Sequence, residues 1–281
     1  MVLVFETDGE IIMTTLETQP GELIDIGVNL TNKRLLTNID QVLQQATEVN
    51  VTKLIVTGTS IEHSKIAVEL CNQFPDQLFC TSGIHPHDAK EWDQDSLQQL
   101  KSLASLDCVK AIGETGLDFN RDFSPRNQQI DVFQQQLELA IEYKKPVFLH
   151  QRDAFDTFIT LLQENRDQLK NVVSHCFTDN KKALYKLLDL DCHIGVTGWI
   201  CDERRGQELQ KLVKDIPSNR LMLETDAPYL LPRDLPEKPA GNLNLPKYLP
   251  HILQTVARLQ NKETHILAAE TLSTTKQFFE I

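Results

Sequence analysis

The chain has 281 residues, 41% of them hydrophobic, enough to bury the core of one large α/β domain. Forty acidic against 28 basic residues leave a formal net charge of −12, which excludes gripping nucleic acid by bulk electrostatics. A polyanionic substrate would need a local basic rim or a bound cation, and no run approaches the ~18 apolar residues of a membrane span.

In chain order, residues 1–20 come first. They carry no basic n-region and their apolar runs are broken by acids, so they read as an extension before the first strand and not as a signal peptide. Residues 21–281 read as one domain. Short apolar runs at 23–26, 53–57, 78–82, 109–113, 146–150, 172–175, 192–197 and 221–225 are strand candidates. Most are apolar on both faces, as in buried parallel strands. Helical patterns occupy 38–49, 60–73, 94–106, 125–144, 154–169, 180–190, 203–214, 247–260 and 262–279. In 125–144, Pro125 suits the first turn, and Ile130, Phe133, Leu137 and Ile141 share a face. Eight strand-then-helix units predict a single (β/α)8 TIM barrel of the α/β class. A doubly wound open sheet is the alternative; it usually brings a G-x-G-x-x-G loop, and this chain has none. The proline-rich stretch 228–246 follows the eighth strand and reads as a stiff wall or a plain connector.

The six cysteines include no C-x-x-C pair, which argues against a local zinc knuckle. They fall in or beside apolar patterns, where a free thiol acts as a small hydrophobe, so a reduced, cytoplasmic protein is expected.

A barrel of this type gathers its chemistry at the C-terminal mouth. The third strand leads into GIHPHD with His85 and His87, and the fourth ends at Glu114 in AIGETGLDF. The fifth ends at His150, the sixth at His175, and the eighth in Glu224-Thr225-Asp226. The remaining histidines act as a control: His63, His251 and His265 lie in helical patterns and His193 at the start of the seventh strand, so all four read as structural or surface residues. Imidazoles and carboxylates gathered in one place are costly to bury alone, and a divalent cation removes that cost. Glu114, His150, His175 and Asp226 therefore read as a mixed nitrogen/oxygen metal site; a buried histidine–carboxylate hydrogen-bond network is the structural alternative. Arg152, Arg204 and Arg205 could clamp phosphate, as could Arg121 and Arg233, or each could pair with an acidic neighbour. Trp199 and Tyr229 could stack bases, although Trp199 fits packing under the loops better.

The stretches DIGVNL, GIHPH, AIGETGLDF, PVFLHQRDA, SHCFT, GVTGWICDERRG and ETDAPYLLP together resemble the TatD family of metal-dependent deoxyribonucleases, within the amidohydrolase-like barrels. The resemblance implies a divalent metal (Mg²⁺, with Mn²⁺ or Zn²⁺ as options) and phosphodiester hydrolysis of DNA. It further implies 3′-to-5′ exonuclease action, preferably on single strands and possibly on RNA, in DNA repair or degradation. By motif it makes Glu114, His150 and His175 metal ligands, Asp226 a ligand or general base, and His85 a residue near the scissile phosphate. Many relatives carry a His-x-His pair at the end of the first strand; here those positions are Gly27 and Asn29, which points to one well-held metal and leaves Asn29 for substrate. Two other classes stay open: a small-molecule amidohydrolase or esterase on the same site, and a non-catalytic barrel that binds a partner. No obligate protein partner is expected, and nothing argues against a monomer.

Overall fold

The computed structural model describes residues 2–7, 10–15, 21–239 and 241–281. Val2–Thr7 pairs antiparallel with Glu10–Thr15 in a two-stranded sheet of its own. The rest of the segment read as an extension, residues 1, 8–9 and 16–20, lies outside the described residues.

The main sheet has eight strands in sequential order: β1 (Leu23–Val28), β2 (Val51–Val56), β3 (Leu78–Ser82), β4 (Val109–Asp118), β5 (Val147–Arg152), β6 (Val172–Ser174), β7 (His193–Val196) and β8 (Leu221–Leu223). Every adjacent pair is parallel. The first and last strands meet beyond β8, where Val28 bridges Ala227 and Asp226 N–H donates to the Gly27 carbonyl at 2.9 Å. Asp25 ties the same seam, accepting from Thr225 N–H at 2.9 Å and from the Thr225 hydroxyl at 2.5 Å. All eight strands therefore stand where the apolar runs predicted them, in a nearly closed TIM-like barrel.

Helices α1 (Ile39–Thr47), α2 (Ile61–Gln73), α3 (Ser96–Ala104), α4 (Arg126–Tyr143), α5 (Phe155–Asn165), α6 (Lys181–Asp189), α7 (Gln207–Leu212), α8 (Leu249–Gln260) and α9 (Thr264–Phe279) surround the sheet. The helix start that moves furthest is in the pattern at 203–214, where the helix begins only at Gln207. The preceding turn wraps Asp202, whose carboxylate accepts from the N–H groups of Arg204 and Arg205 and whose carbonyl accepts from Gly206.

Inside the barrel, Ile26, Ile55, Ala111, Phe148, Val173 and Met222 form one buried layer. Phe278 and Phe279 of α9 join it at the N-terminal end. A larger cluster fills the space between strands and helices. Burial on both faces is why the strands read as continuous apolar runs.

At that lower end His193 packs edge-on against Phe278, ring centroids 4.9 Å apart, as a structural residue should. Its Nδ1 has no hydrogen-bond partner among the described residues. Burial, reinforced by the nearby Arg220, pushes the imidazole down to about 4 from its ordinary 6.5. Between those values the unfolded chain binds the extra proton and the folded chain does not, so acidification costs stability, at most ~3 kcal/mol from this group. Urea midpoints should therefore fall between pH 7 and pH 4 less steeply in His193→Phe than in the parent; equal slopes would refute the assignment.

Candidate metal and phosphate site at the barrel mouth

β4 is longer than the apolar run predicted, and its extra length builds the site. The ladder to β5 shifts register between Ile112 and Thr115. Gly113 and Gly116 sit at φ +138° and +139°, where a Cβ would come within 2.2 Å of the Phe148 carbonyl oxygen and 1.9 Å of the His150 carbonyl oxygen. Only glycine permits this close, left-handed path. The path carries Glu114 and Asp118 to the mouth.

Two buried glutamines of α4 hold that region. Gln136 donates to the Ile84 carbonyl at 3.0 Å and to the Thr115 hydroxyl at 2.7 Å, and accepts from Ile84 N–H at 2.8 Å. Gln129 donates to the carbonyls of Asp118 and Ser124 and accepts from Asp118 N–H. These two amides sit in the buried face of α4, while Ile130 and Ile141, expected there, are only half-buried. Hydrophobic periodicity is blind to amides that a helix buries for hydrogen bonding.

At the floor of the mouth one carboxylate oxygen, Glu114 Oε1, meets three imidazoles. His150 Nδ1 and His175 Nε2 lie 2.9 Å away and His85 Nε2 lies 3.3 Å away. Burial opposes ionisation of Glu114, yet these rings together hold its carboxyl well below the usual range. The hydrogen bonds assign different duties to the rings. His175 lies between two carboxylates, Nδ1 3.1 Å from Glu224 Oε2 and Nε2 on Glu114 Oε1; with a cation at Nε2, Glu224 would complete a carboxylate–histidine–metal arrangement. His85 Nδ1 accepts from His87 N–H at 3.1 Å, which keeps its proton on Nε2 and makes it a donor aimed into the mouth. His150 Nε2 is buried without a hydrogen bond; Asp118 Oδ2 lies 3.4 Å away, and that same oxygen pairs with His87 Nε2 at 2.7 Å.

The residues fit a divalent cation. Among the described residues, the ion-pair partners of Glu114, Asp118 and Glu224 are imidazoles, with no lysine or arginine. Buried carboxylates in excess of fixed positive charge, next to an unbonded imidazole nitrogen, match a mixed nitrogen/oxygen donor set. His85, Glu114 and His150 each bring a nitrogen or oxygen atom within 4.8 Å of one another, which sets the His85 donor directly beside the two ligand candidates.

Asp226 shares the cavity, and its Oδ1 accepts from Asn29 Nδ2 at 2.9 Å. Burial first, then the negative charges of Glu114 and Glu224 against the pull of His175, push Asp226 up to about 7. Gly27 leaves room for the Glu224 side chain: a Cβ on Gly27 would lie 2.3 Å from Glu224 Oε2, and one on Gly195 would lie 2.5 Å from Oε1. Glu224 thus occupies the space beside β1, binding His175 and accepting from Cys176 N–H.

The cavity above this floor measures about 1050 Å³, ample for a polymer end. Lys33, Arg121 and Arg152 line it, and none is in an ion pair among the described residues. Phe123 and Tyr229, both about half exposed, and the more buried Trp199 supply aromatic rims. Arg204 and Arg205 are not among the lining residues. Both bind the Asp202 carboxylate at 2.9–3.2 Å, and Arg205 also covers the Trp199 ring. Arg233 is likewise engaged, by Glu203.

Sequence reasoning missed several lining residues. His63, read as a structural or surface residue, lines the mouth from the first turn of α2, with its Nδ1 2.8 Å from the Thr59 hydroxyl. Lys33 opens a four-residue helix, Lys33–Leu36, too short to show a period, and Phe123 stands on a loop. Asp118, buried behind the lining and bound to His87, did carry a signal: Glu114, Gly116 and Asp118 continue a period of two, legible once β4 is followed through its glycines.

The model of the TatD-related DNase family matches residues 24–280. Two bacterial proteins described as 3′-5′ ssDNA/RNA exonuclease TatD, from Pectobacterium carotovorum and Erwinia tasmaniensis, are 44% and 46% identical over 259 residues, covering 92% of this chain and all of theirs. Among solved structures, a TatD homologue from Escherichia coli superposes with TM-score 0.84 at 26% identity, covering 92% of this chain and 98% of that one. A hydrolase of the TatD family from Entamoeba histolytica gives 0.85 at 26%, covering 93% and 99%. Sequence, barrel and mouth agree, and the chain belongs to the TatD-related DNase family of hydrolases.

Proposed function

We propose that this chain is a divalent-metal-dependent exonuclease that shortens single-stranded DNA, and RNA, from the 3′ end. The observation that carries the reading is Glu114 Oε1 held against three imidazoles beneath a cavity lined by Lys33, Arg121 and Arg152. The curated relatives support the polarity and the substrate, since their description names both.

Glu114, His150, His175 and Asp226, two carboxylates and two imidazoles, would hold the cation, with Mg²⁺ the expected ion where several waters stay bound. When bound, it supplies Lewis-acid neutralisation of the phosphate charge. The chain's own residues do the rest. Arg152, exposed and in no ion pair among the described residues, clamps a phosphate, with Arg121 and Lys33 holding its neighbours. Asp226, fixed by Asn29, orients the attacking water and takes its proton. His85 Nε2–H donates to the phosphate or to the departing 3′-oxygen. Phe123 and Tyr229 stack the terminal bases. Arg204 and Arg205, held by Asp202, stand apart from this group and would meet substrate only further along the strand.

The constellation is complete within one chain, which supports a monomer, and the six free cysteines support a reducing, cytoplasmic setting. No helix of the described residues is long and apolar enough to cross a membrane. Residues 21–281 act as the hydrolase domain with 1–20 as an appendage, and degradation or repair of DNA ends is the role such an activity would serve.

Oligonucleotides labelled at the 3′ or the 5′ end, incubated with Mg²⁺, Mn²⁺ or chelator, test this. Stepwise, metal-dependent loss from the 3′ end is expected. Failure to cleave with any divalent cation, together with turnover of small esters or amides, would overturn it in favour of a small-molecule hydrolase.

A further inference from the structure

Away from the mouth, the fold assembles three thiols that lie far apart in the sequence. Cys71 comes from the last turns of α2, Cys80 from the middle of β3, and Cys108 from the turn into β4. Their sulfurs all lie within 4.8 Å of one another. Cys71 and Cys80 are buried and Cys108 is half-buried, which gives the cluster one route to solvent. Cys80 N–H donates to the Cys108 carbonyl at 2.9 Å, so two of the three sulfurs hang on one hydrogen-bonded backbone contact.

We propose that Cys71, Cys80 and Cys108 form a three-thiolate site for a thiophilic d¹⁰ cation, zinc(II) or copper(I), distinct from the catalytic mouth. With metal–sulfur bonds of ~2.3 Å, a trigonal site needs sulfurs ~4 Å apart, so closing this cluster onto a cation needs sulfur shifts of less than ~1 Å. An all-sulfur donor set selects soft cations and disfavours the hard Mg²⁺ expected at the mouth. Each metal–sulfur bond that forms sends one thiol proton to solvent. Three thiolates leave one net negative charge with zinc(II) and two with copper(I). Lys145 is positioned to offset that charge: its ammonium donates to the Val109 carbonyl, one residue from Cys108. A cation here would cross-link α2, β3 and β4, and the last two deliver His85 and Glu114 to the mouth.

The test uses the full chain, reduced and stripped of metal, titrated anaerobically with Cu⁺ and separately with Cd²⁺ as the spectroscopic stand-in for zinc. The expected result is a thiolate-to-metal charge-transfer band saturating at one cation per chain, with a rise in thermal midpoint. It should persist in Glu114→Ala and Cys176→Ser and vanish in Cys108→Ser. A band with Cu⁺ alone assigns copper, and one with Cd²⁺ assigns zinc. Because a cysteine variant could fail to fold, alkylation of the parent chain with peptide mass mapping gives a second measure: the cation must protect Cys108, the half-buried member of the cluster, from iodoacetamide. No band with either cation, a band lost in Cys176→Ser, or protection of other cysteines instead would overturn the proposal.

Discussion

Glu114→Ala should lower kcat/KM on single-stranded oligonucleotides by about 10³-fold and weaken divalent-cation affinity in parallel, as loss of a charge-stabilising group at a reaction centre does. Glu114 Oε1 is the one atom in contact with His85, His150 and His175. Removing it leaves three imidazoles with no common anion and takes a carboxylate from the residues that would hold the cation. Calorimetric titration of the metal and steady-state cleavage would check the two effects together. Retained cleavage with unchanged metal affinity would mean that the centre lies elsewhere in the mouth.

The largest effect on folding is expected from Gly116→Ala. At φ +139° the added Cβ would lie 1.9 Å from the His150 carbonyl oxygen and 2.9 Å from its carbon, atoms of an adjacent strand that cannot turn away. Strain at that φ together with forced separation of β4 from β5 should cost ~3–5 kcal/mol, at the high end for a single substitution. Any folded fraction should also lose activity, because the shift falls between Glu114 and Asp118 on one side and His150 on the other. Urea unfolding of the variant, with activity measured per folded molecule, separates the two losses. A midpoint within error of the parent would show that β4 relaxes without the glycine.

Rim arginines illustrate why a list of candidate residues is not yet a site. Arg152 and Arg204 each stand beside an acidic neighbour and look alike in sequence. Asp153 makes no ion pair with Arg152, whereas Asp202 takes both Arg204 and Arg205. The difference depends on where the loop after β7 folds back.

What the sequence determined by itself was the alternation of buried strands and amphipathic helices, hence the barrel, and the polar residues at strand ends, hence the mouth. Those features are local: apolar runs, a helical period, and a histidine or carboxylate directly after a strand. Only the tertiary structure decided how those groups face one another. It put Glu224 into the space left by Gly27 and Gly195, placed His175 between Glu114 and Glu224, turned His85 Nδ1 to the His87 N–H, and buried Gln129 and Gln136 as clamps on β4. It also gathered Cys71, Cys80 and Cys108 without any C-x-x-C spacing. Each of these is a distance between residues brought together by barrel closure and helix packing, and no local pattern in a chain encodes such a distance.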